Sequence, residues 1–396
     1  MSTLKQLLDQ YCPDGVDYVR LKDVAVRQRG TAITAGKMQE LDCAEGDVTV
    51  FAAGSTKATV MSNNLPEKAI HRDPSIVVKA RGYVDFVYYD EPFTTKSELW
   101  SYRAGGEELN IRFGCYVLQE NSGHFQEIAR LNGVKLPQLK VSDTDSYLIP
   151  LPPREVQDKI VNFLDVFASV GDNLGLEVEQ REKQFHVYRE QIFSEICSTS
   201  PASTLAGISD EIKTGATPKA GNGDYYEYGT IPWLRTSEIN FNRIAATELC
   251  VTDKALAETA IKWVKAPSVV VAISGATAGK SAILDIPATT NQHCCCMHID
   301  ESVGDYRYVF HWTAMNYSEL KSLGRGARGD LNMKIIKSFE IPLPPLSVQQ
   351  DIADKLDTMQ ALIDNLKHER DLRGRQFEYY RSRLLDFTAK ESEDND

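Results

Sequence analysis

Ile149-Pro150-Leu151-Pro152-Pro153 is written again, 192 positions later, as Ile341-Pro342-Leu343-Pro344-Pro345. The register then holds without a gap. Val156, Gln157, Ile160, Leu164 and Asp165 match Val348, Gln349, Ile352, Leu356 and Asp357. Asp172-Asn173-Leu174 matches Asp364-Asn365-Leu366. Glu177, Arg181, Gln184, Phe185, Tyr188 and Arg189 match Glu369, Arg373, Gln376, Phe377, Tyr380 and Arg381. A repeat of this length means two copies of one unit and predicts approximate two-fold symmetry.

After each Pro-Pro pair the pattern becomes helical. The prolines favour an extended approach and stop any helix from continuing upstream. Downstream of the first pair, apolar residues fall at Val156, Ile160, Phe163, Phe167, Val170, Leu174 and Val178, then Phe185, Tyr188 and Ile192. Downstream of the second they fall at Val348, Ile352, Met359, Leu362 and Leu366, then Phe377, Tyr380 and Leu384, with Leu356 and Ile363 widening the stripe. Steps of four and three are the seam of a coiled coil. Forty-odd residues at 1.5 Å rise predict a rod of roughly 60 Å. Arg181 and Arg373 occupy seam positions. Such a polar residue either fixes register or runs its stem along the helix to water.

Length and composition bound the rest. A chain of 396 residues holds more than one domain. Hydrophobic content of 42% and charged content of 25% are those of a soluble globular protein. No apolar run approaches the roughly 20 residues that span a bilayer, and Met1 to Gln10 lacks the apolar core of a signal peptide. The expected location is the cytoplasm, with no membrane partner. Eight cysteines, three of them adjacent, do not form a disulfide framework. Net charge is −12. Residues 149–203 carry 5 Lys+Arg against 9 Asp+Glu, and residues 341–396 carry 8 against 12, so the repeats and tail hold most of it. The segments between are near neutral and can still gather cations on one face.

Those segments read as β-rich mixed domains. Apolar runs lie at 48–52, 75–78 and 84–88, and again at 268–273, 281–286 and 294–299. Pro74-Ser75-Ile76-Val77-Val78 with Gly82 is echoed by Pro267-Ser268-Val269-Val270-Val271 with Gly275. The expected division is a first domain over 1–148, a first helix and linker over 149–203, and a second domain over 204–340. A second helix over 341–390 and an acidic, disordered tail over 391–396 complete it. The fold class is α+β, with two similar mixed domains joined by two long helices in an antiparallel coiled coil.

Catalytic signatures are weak. Ser274-Gly275-Ala276-Thr277-Ala278-Gly279-Lys280-Ser281 resembles a phosphate-cradling loop. It begins with Ser rather than Gly, and Ala282-Ile283-Leu284-Asp285-Ile286-Pro287 reads as a strand where a helix is needed. A turn between two strands is the better reading. His293-Cys294-Cys295-Cys296-Met297-His298 places His293, Cys295 and Met297 on one side of a strand and Cys294, Cys296 and His298 on the other. No Cys-x-x-Cys pair completes a zinc site, so a buried strand is expected, with no metal and no cofactor held. No Gly-x-Ser-x-Gly, His-Glu-x-x-His or dinucleotide fingerprint is present.

What remains is a binding pattern. In the second domain three polar, basic loops stand out. They hold Lys213, Thr217 and Lys219; then Trp233, Arg235, Thr236 and Ser237; then Arg325 and Arg328. Lys280 and Asn291 join them. In the first domain the analogues are Arg27 and Arg29, then Lys79 and Arg81, then Thr95 and Lys96. Arg and Lys contact phosphates or guanine, and Asn pairs with adenine.

These stretches make the chain resemble a specificity subunit of a type I restriction–modification system. The likeness is carried by Thr214-Gly215-Ala216-Thr217-Pro218, Ile231-Pro232-Trp233-Leu234, Glu238-Ile239, Thr290-Asn291-Gln292 and both Ile-Pro-Leu-Pro-Pro copies. It runs from Cys12-Pro13-Asp14-Gly15 to the last helix. The first domain lacks the Thr-Pro and Pro-Trp pairs but keeps Asp73-Pro74-Ser75-Ile76 and Thr94-Thr95. The resemblance implies two target-recognition domains, each reading half of a split site in double-stranded DNA. It implies helices that space them and dock two methyltransferase subunits, with restriction subunits beyond. It implies no active site here: S-adenosylmethionine, ATP and magnesium would belong to those partners. Two other classes compete, a nucleotide-binding enzyme built on the 274–281 loop and a coiled-coil scaffold that does not touch DNA.

Overall fold

The computed structural model describes residues 11–133, 135–324 and 330–390. In the first head the strands are β1 (Asp17–Arg20), β2 (Ala25–Arg29), β3 (Val48–Phe51), β4 (Lys57–Val60), β5 (Ser75–Lys79), β6 (Asp85–Tyr89), β7 (Phe93–Thr95), β8 (Trp100–Ala104) and β9 (Leu148–Leu151). Helices α1 (Ile111–Glu120) and α2 (Ser122–Asn132) follow β8. In the second head the strands are β10 (Ala202–Thr204), β11 (Ser209–Thr214), β12 (Ile231–Leu234), β13 (Arg243–Ile244), β14 (Cys250–Val251), β15 (Trp263–Val264), β16 (Ser268–Ala272), β17 (Ser281–Leu284), β18 (Ala288–Thr290), β19 (Cys294–Ile299) and β20 (Glu340–Pro342). Helices α3 (Tyr306–Met315) and α4 (Tyr317–Ser322) follow β19.

Each Ile-Pro repeat is a strand in a two-stranded ribbon, β1 with β9 and β10 with β20, where proline is tolerated at a sheet edge. The ribbon ties the chain entering each head to the chain leaving it. The first long helix runs to Thr199, and Ala202–Thr204 pairs with Glu340–Pro342.

The two heads share one plan. The main sheet is ordered β2-β8-β5-β6 in the first and β11-β19-β16-β17 in the second, antiparallel throughout, with β13 added in parallel at the second head's edge. The smaller sheet places β3 between antiparallel β4 and parallel β7; likewise β12 lies between antiparallel β14 and parallel β18. The echoed Ile76–Val78 and Val269–Val271 lie in β5 and β16, each flanked by two partners and fully buried. Continuous β-branched runs suit strands covered on both faces. The three cysteines are a buried strand: Cys295 and Met297 join one hydrophobic cluster, Cys294 and Cys296 another. Burial pushes the Cys295 thiol up to about 12, where it is inert.

The long helices span Arg154–Thr199 and Leu346–Leu384. Two compact units result. One holds residues up to Leu174 with those from Glu369 onward; the other is Gly175–His368. Each long helix contributes to both. In the first unit the early part of one helix meets the late part of the other, with the Phe163 and Phe167 rings 5.5 and 5.2 Å from Tyr380. In the second the directions are again opposed, and Lys367 Nζ lies 2.7 Å from Glu182. The helices are antiparallel partners.

The seam differs from a continuous heptad. Val170, Tyr188, Val348 and Leu362 are exposed, whereas Leu164, Phe193, Leu356 and Ile363 are buried. Each helix packs against a head as well as against its partner, and the contact with the head moves the buried stripe off the 3.5-residue repeat. Arg181 and Arg373 are not seam residues. Each binds Glu and Gln of its own helix, Glu177 with Gln184 and Glu369 with Gln376, on the exposed side.

Candidate nucleic-acid interface

In the second head the antiparallel pairing brings the ends of β11 and β16 and the starts of β17 and β19 to one edge. The ends of β12 and β18 are bonded to the same place: Ala216 N donates to Thr290 O at 3.0 Å and Asn291 N to Leu234 O at 3.0 Å. The loops carrying Thr217, Lys219, Arg235, Thr236, Ser237, Lys280 and Asn291 therefore converge. Lys219 and Ser237 are exposed, and Lys219 is in no ion pair among the described residues. Thr217 Oγ1 bonds Gln292. Thr277 Oγ1 donates to Thr236 O at 2.8 Å, which ties two of the loops. Lys280 Nζ donates to Asn240 Oδ1 at 2.6 Å. Asn291 caps its own turn, its Oδ1 accepting from His293 N at 3.0 Å.

Several cations on this edge already have carboxylate partners. Lys213 lies 2.7 Å from Glu211, and Arg235 is held by Glu238 and Glu248. A phosphate would have to compete with them. Arg325 and Arg328 lie outside the described residues.

The first head builds the corresponding edge. Arg29 is exposed, and its carbonyl accepts from His71 Nε2 at 3.2 Å. Lys79 Nζ donates to Gly54 O at 2.7 Å, Lys96 lies 3.0 Å from Glu98, and exposed Arg81 bridges Gln138 through its backbone. Arg27 stands apart, in the middle of β2, 3.7 Å from Asp145. Thr95 is fully buried and cannot face a ligand. It forms a close approach instead: a Cβ at Gly30 would run into Thr95 and Lys96, as one at Gly215 would run into Thr290. The Thr-Thr pairs are thus structural in both heads.

One set of residues escaped the reading of motifs because its members are far apart in sequence. Gln157 Oε1 accepts from Asn110 N at 2.8 Å, and its Nε2 donates to Glu108 O and Pro152 O at 2.8 Å. Gln349 repeats this with Asp305 N at 3.0 Å, Val303 O at 3.1 Å and Pro344 O at 2.9 Å. Asn110 and Asp305 in turn cap α1 and α3. Asp165 receives Arg112 Nε at 2.7 Å and Tyr116 OH at 2.6 Å. Asp357 receives Arg307 Nη1 at 3.3 Å and His311 Nε2 at 2.8 Å. Burial tends to raise the Asp357 carboxyl, but His311 and Arg307 hold it below its usual range. Burial depresses the His311 pKa, and its Nε2 is the atom bonded to the Asp357 carboxylate. The repeated Gln and Asp of the long helices are the sockets into which each head is plugged.

The phosphate-loop reading fails on geometry. Residues 273–280 form a turn between β16 and β17, which pair antiparallel, and no helix follows to face a phosphate. Among the described residues no group of three or more His, Cys, Asp or Glu is arranged to hold a metal ion.

The family model for the type I restriction modification DNA specificity domain matches twice, over residues 13–179 and 203–372. The chain belongs to that family. Both matches take in a head and most of the long helix after it, so the family unit is the repeat seen in the structure. Specificity chains of known systems are similar to this one. The Escherichia coli EcoR124I/EcoR124II specificity subunit is 28% identical over 272 residues, covering 64% of this chain and 67% of that protein. The E. coli EcoprrI specificity subunit is 29% identical over 201 residues, covering 46% and 49%. A crystal structure of a type I restriction–modification S subunit from M. genitalium superposes with a TM-score of 0.66 at 16% identity, over 94% of this chain and 96% of that one. The specificity fold therefore extends across both heads and both long helices. Among the described residues no helix is long and apolar enough to cross a membrane.

Proposed function

We propose that each head reads one half of a bipartite site in double-stranded DNA, and that the long helices hold the two halves at a fixed spacing. The observation that carries this is the contrast between sockets and edges. The anchors are repeated almost atom for atom, Gln157 with Gln349 and Asp165 with Asp357. The edges they present carry different side chains, Arg29, Lys79, Arg81 and Lys96 in the first head and Thr217, Lys219, Arg235, Lys280 and Asn291 in the second. Equal mounting with unequal reading surfaces suits a target with two different halves.

On this reading the exposed apolar residues of the helices, among them Val166, Leu176, Val187 and Leu372, dock two methyltransferase subunits. Catalysis lies in those partners, which bind S-adenosylmethionine, and in restriction subunits using ATP and magnesium. The chain itself holds no cofactor and works in the cytoplasm. A genome-wide map of adenine methylation, with the chain present and deleted, tests the reading. A split motif that vanishes on deletion is expected; an unchanged map, or loss of a contiguous motif, would overturn it.

A further inference from the structure

A cluster of aromatic and cationic side chains lies beside the second head's edge; of its members only Lys280 belongs to a motif read from the sequence. Phe241 is the centre of it. Its backbone sits at φ +55°, a conformation that a bulky L-residue adopts at a cost, and the residue is 39% exposed. Lys280 Nζ stands 5.7 Å over that ring, and the Tyr317 ring meets it edge-to-face at 5.4 Å. Lys321, one turn further along α4, lies 5.4 Å over the Tyr317 ring with its Nζ 3.1 Å from the hydroxyl. The turn is pressed onto the helix at Gly279, where a Cβ would crowd Tyr317 and Lys321. Glu319 of the same helix lines a cavity with Trp312 and Cys197.

The first head carries a ledge at the equivalent place, built from different residues. Leu139 N donates to Ala80 O at 2.8 Å, as Leu331 N does to Ile273 O at 2.8 Å, which aligns the loop after α2 with the loop after α4. There Tyr83 is 75% exposed, Leu131 88% and Leu136 54%, beside Arg81 and Lys135. Exposed apolar surface interleaved with cations, next to an edge already assigned to DNA, fits a sugar–phosphate backbone better than an apolar partner.

We propose that the Phe241–Lys280–Tyr317–Lys321 ledge grips the DNA backbone beside the half-site, the cations on phosphate and the rings against sugar. It supplies affinity and position without reading bases. The inference rests on the DNA-reading function proposed above. Its test uses the full chain assembled with its modification subunits, and measures binding to a cognate and a scrambled duplex of equal length across a salt series. Lys321→Gln should weaken both duplexes by the same factor and lower the slope of log K against log salt by about one. Phe241→Gly, which suits the left-handed backbone, should keep the fold by thermal melting and weaken both duplexes several-fold. Lys321→Arg should restore binding. Wild-type affinity and slope in folded Lys321→Gln and Phe241→Gly would overturn the ledge, and a loss confined to the cognate duplex would overturn its assignment to phosphate. If the wild-type assembly binds neither duplex, the DNA-reading function falls and the ledge with it.

Discussion

Asp165 and Asp357 show how much one repeated carboxylate does. Each is carried on a long helix and receives two donors from the helix that follows β8 or β19. Removing the charge leaves those donors half-buried and poorly matched. Asp165→Asn and Asp357→Asn should each destabilise the head concerned by roughly 1.5–3 kcal/mol, the range for hydrogen bonds to a charged group, read from denaturant unfolding. A wild-type midpoint would show that the heads are held elsewhere. The donors differ between heads, Tyr116 in one and His311 in the other, and this makes the second head pH-sensitive. His311 is buried and its pKa lies below the ordinary 6.5. The unfolded chain therefore takes up a proton before the folded one does. This contribution to stability is complete above about pH 6.5 and is lost as the pH falls towards the folded value. Asp357, Arg307 and Arg189 are the charged groups that act on it. Between pH 7.5 and 5.5 the wild-type chain should lose more thermal stability than His311→Tyr, which copies Tyr116. Parallel losses would remove His311 as the cause.

At the scale of elements, the long helices are shared between two compact units, and this explains their uneven seam. A heptad pattern marks residues able to face a partner helix. It does not say which will be claimed by a head, and so Leu164 and Leu356 are buried while Val170 and Leu362 are exposed. If these helices set the spacing between half-sites, lengthening both should lengthen the unread gap. Seven residues inserted after Leu174 and after Leu366 add about 10 Å of helix at 1.5 Å per residue, or about three base pairs at 3.4 Å each. The methylated motif should gain that many unread bases and keep both halves. Altered halves at constant spacing would contradict the ruler.

At the scale of the whole molecule, charge is the quantity that matters. A chain at −12, with Glu211, Glu238 and Glu248 already paired with Lys213 and Arg235 on one edge, offers DNA little net electrostatic attraction by itself. DNA binding by the isolated chain should be weak and steeply salt-dependent, and should tighten when methyltransferase subunits complete a basic channel. Titrating one duplex against the chain with and without that partner checks it; equal affinities would sink the idea.

Much of this architecture is legible in the sequence, and the reason is locality. Central strands announce themselves as buried β-branched runs such as Val269–Val271, and the long helices by their stripe and by the prolines ahead of them. The repeat declared two copies. What stayed hidden is whatever depends on partners distant in the chain. Thr95 looks like a ligand-facing polar residue in the sequence, yet folding places it in the core against Gly30. Asp357 looks like one more charge on a helix, yet it is bonded to His311, 46 positions away. Periodicity follows from backbone geometry, which is the same in every protein. The partner of a given side chain follows from packing, which no local spacing encodes.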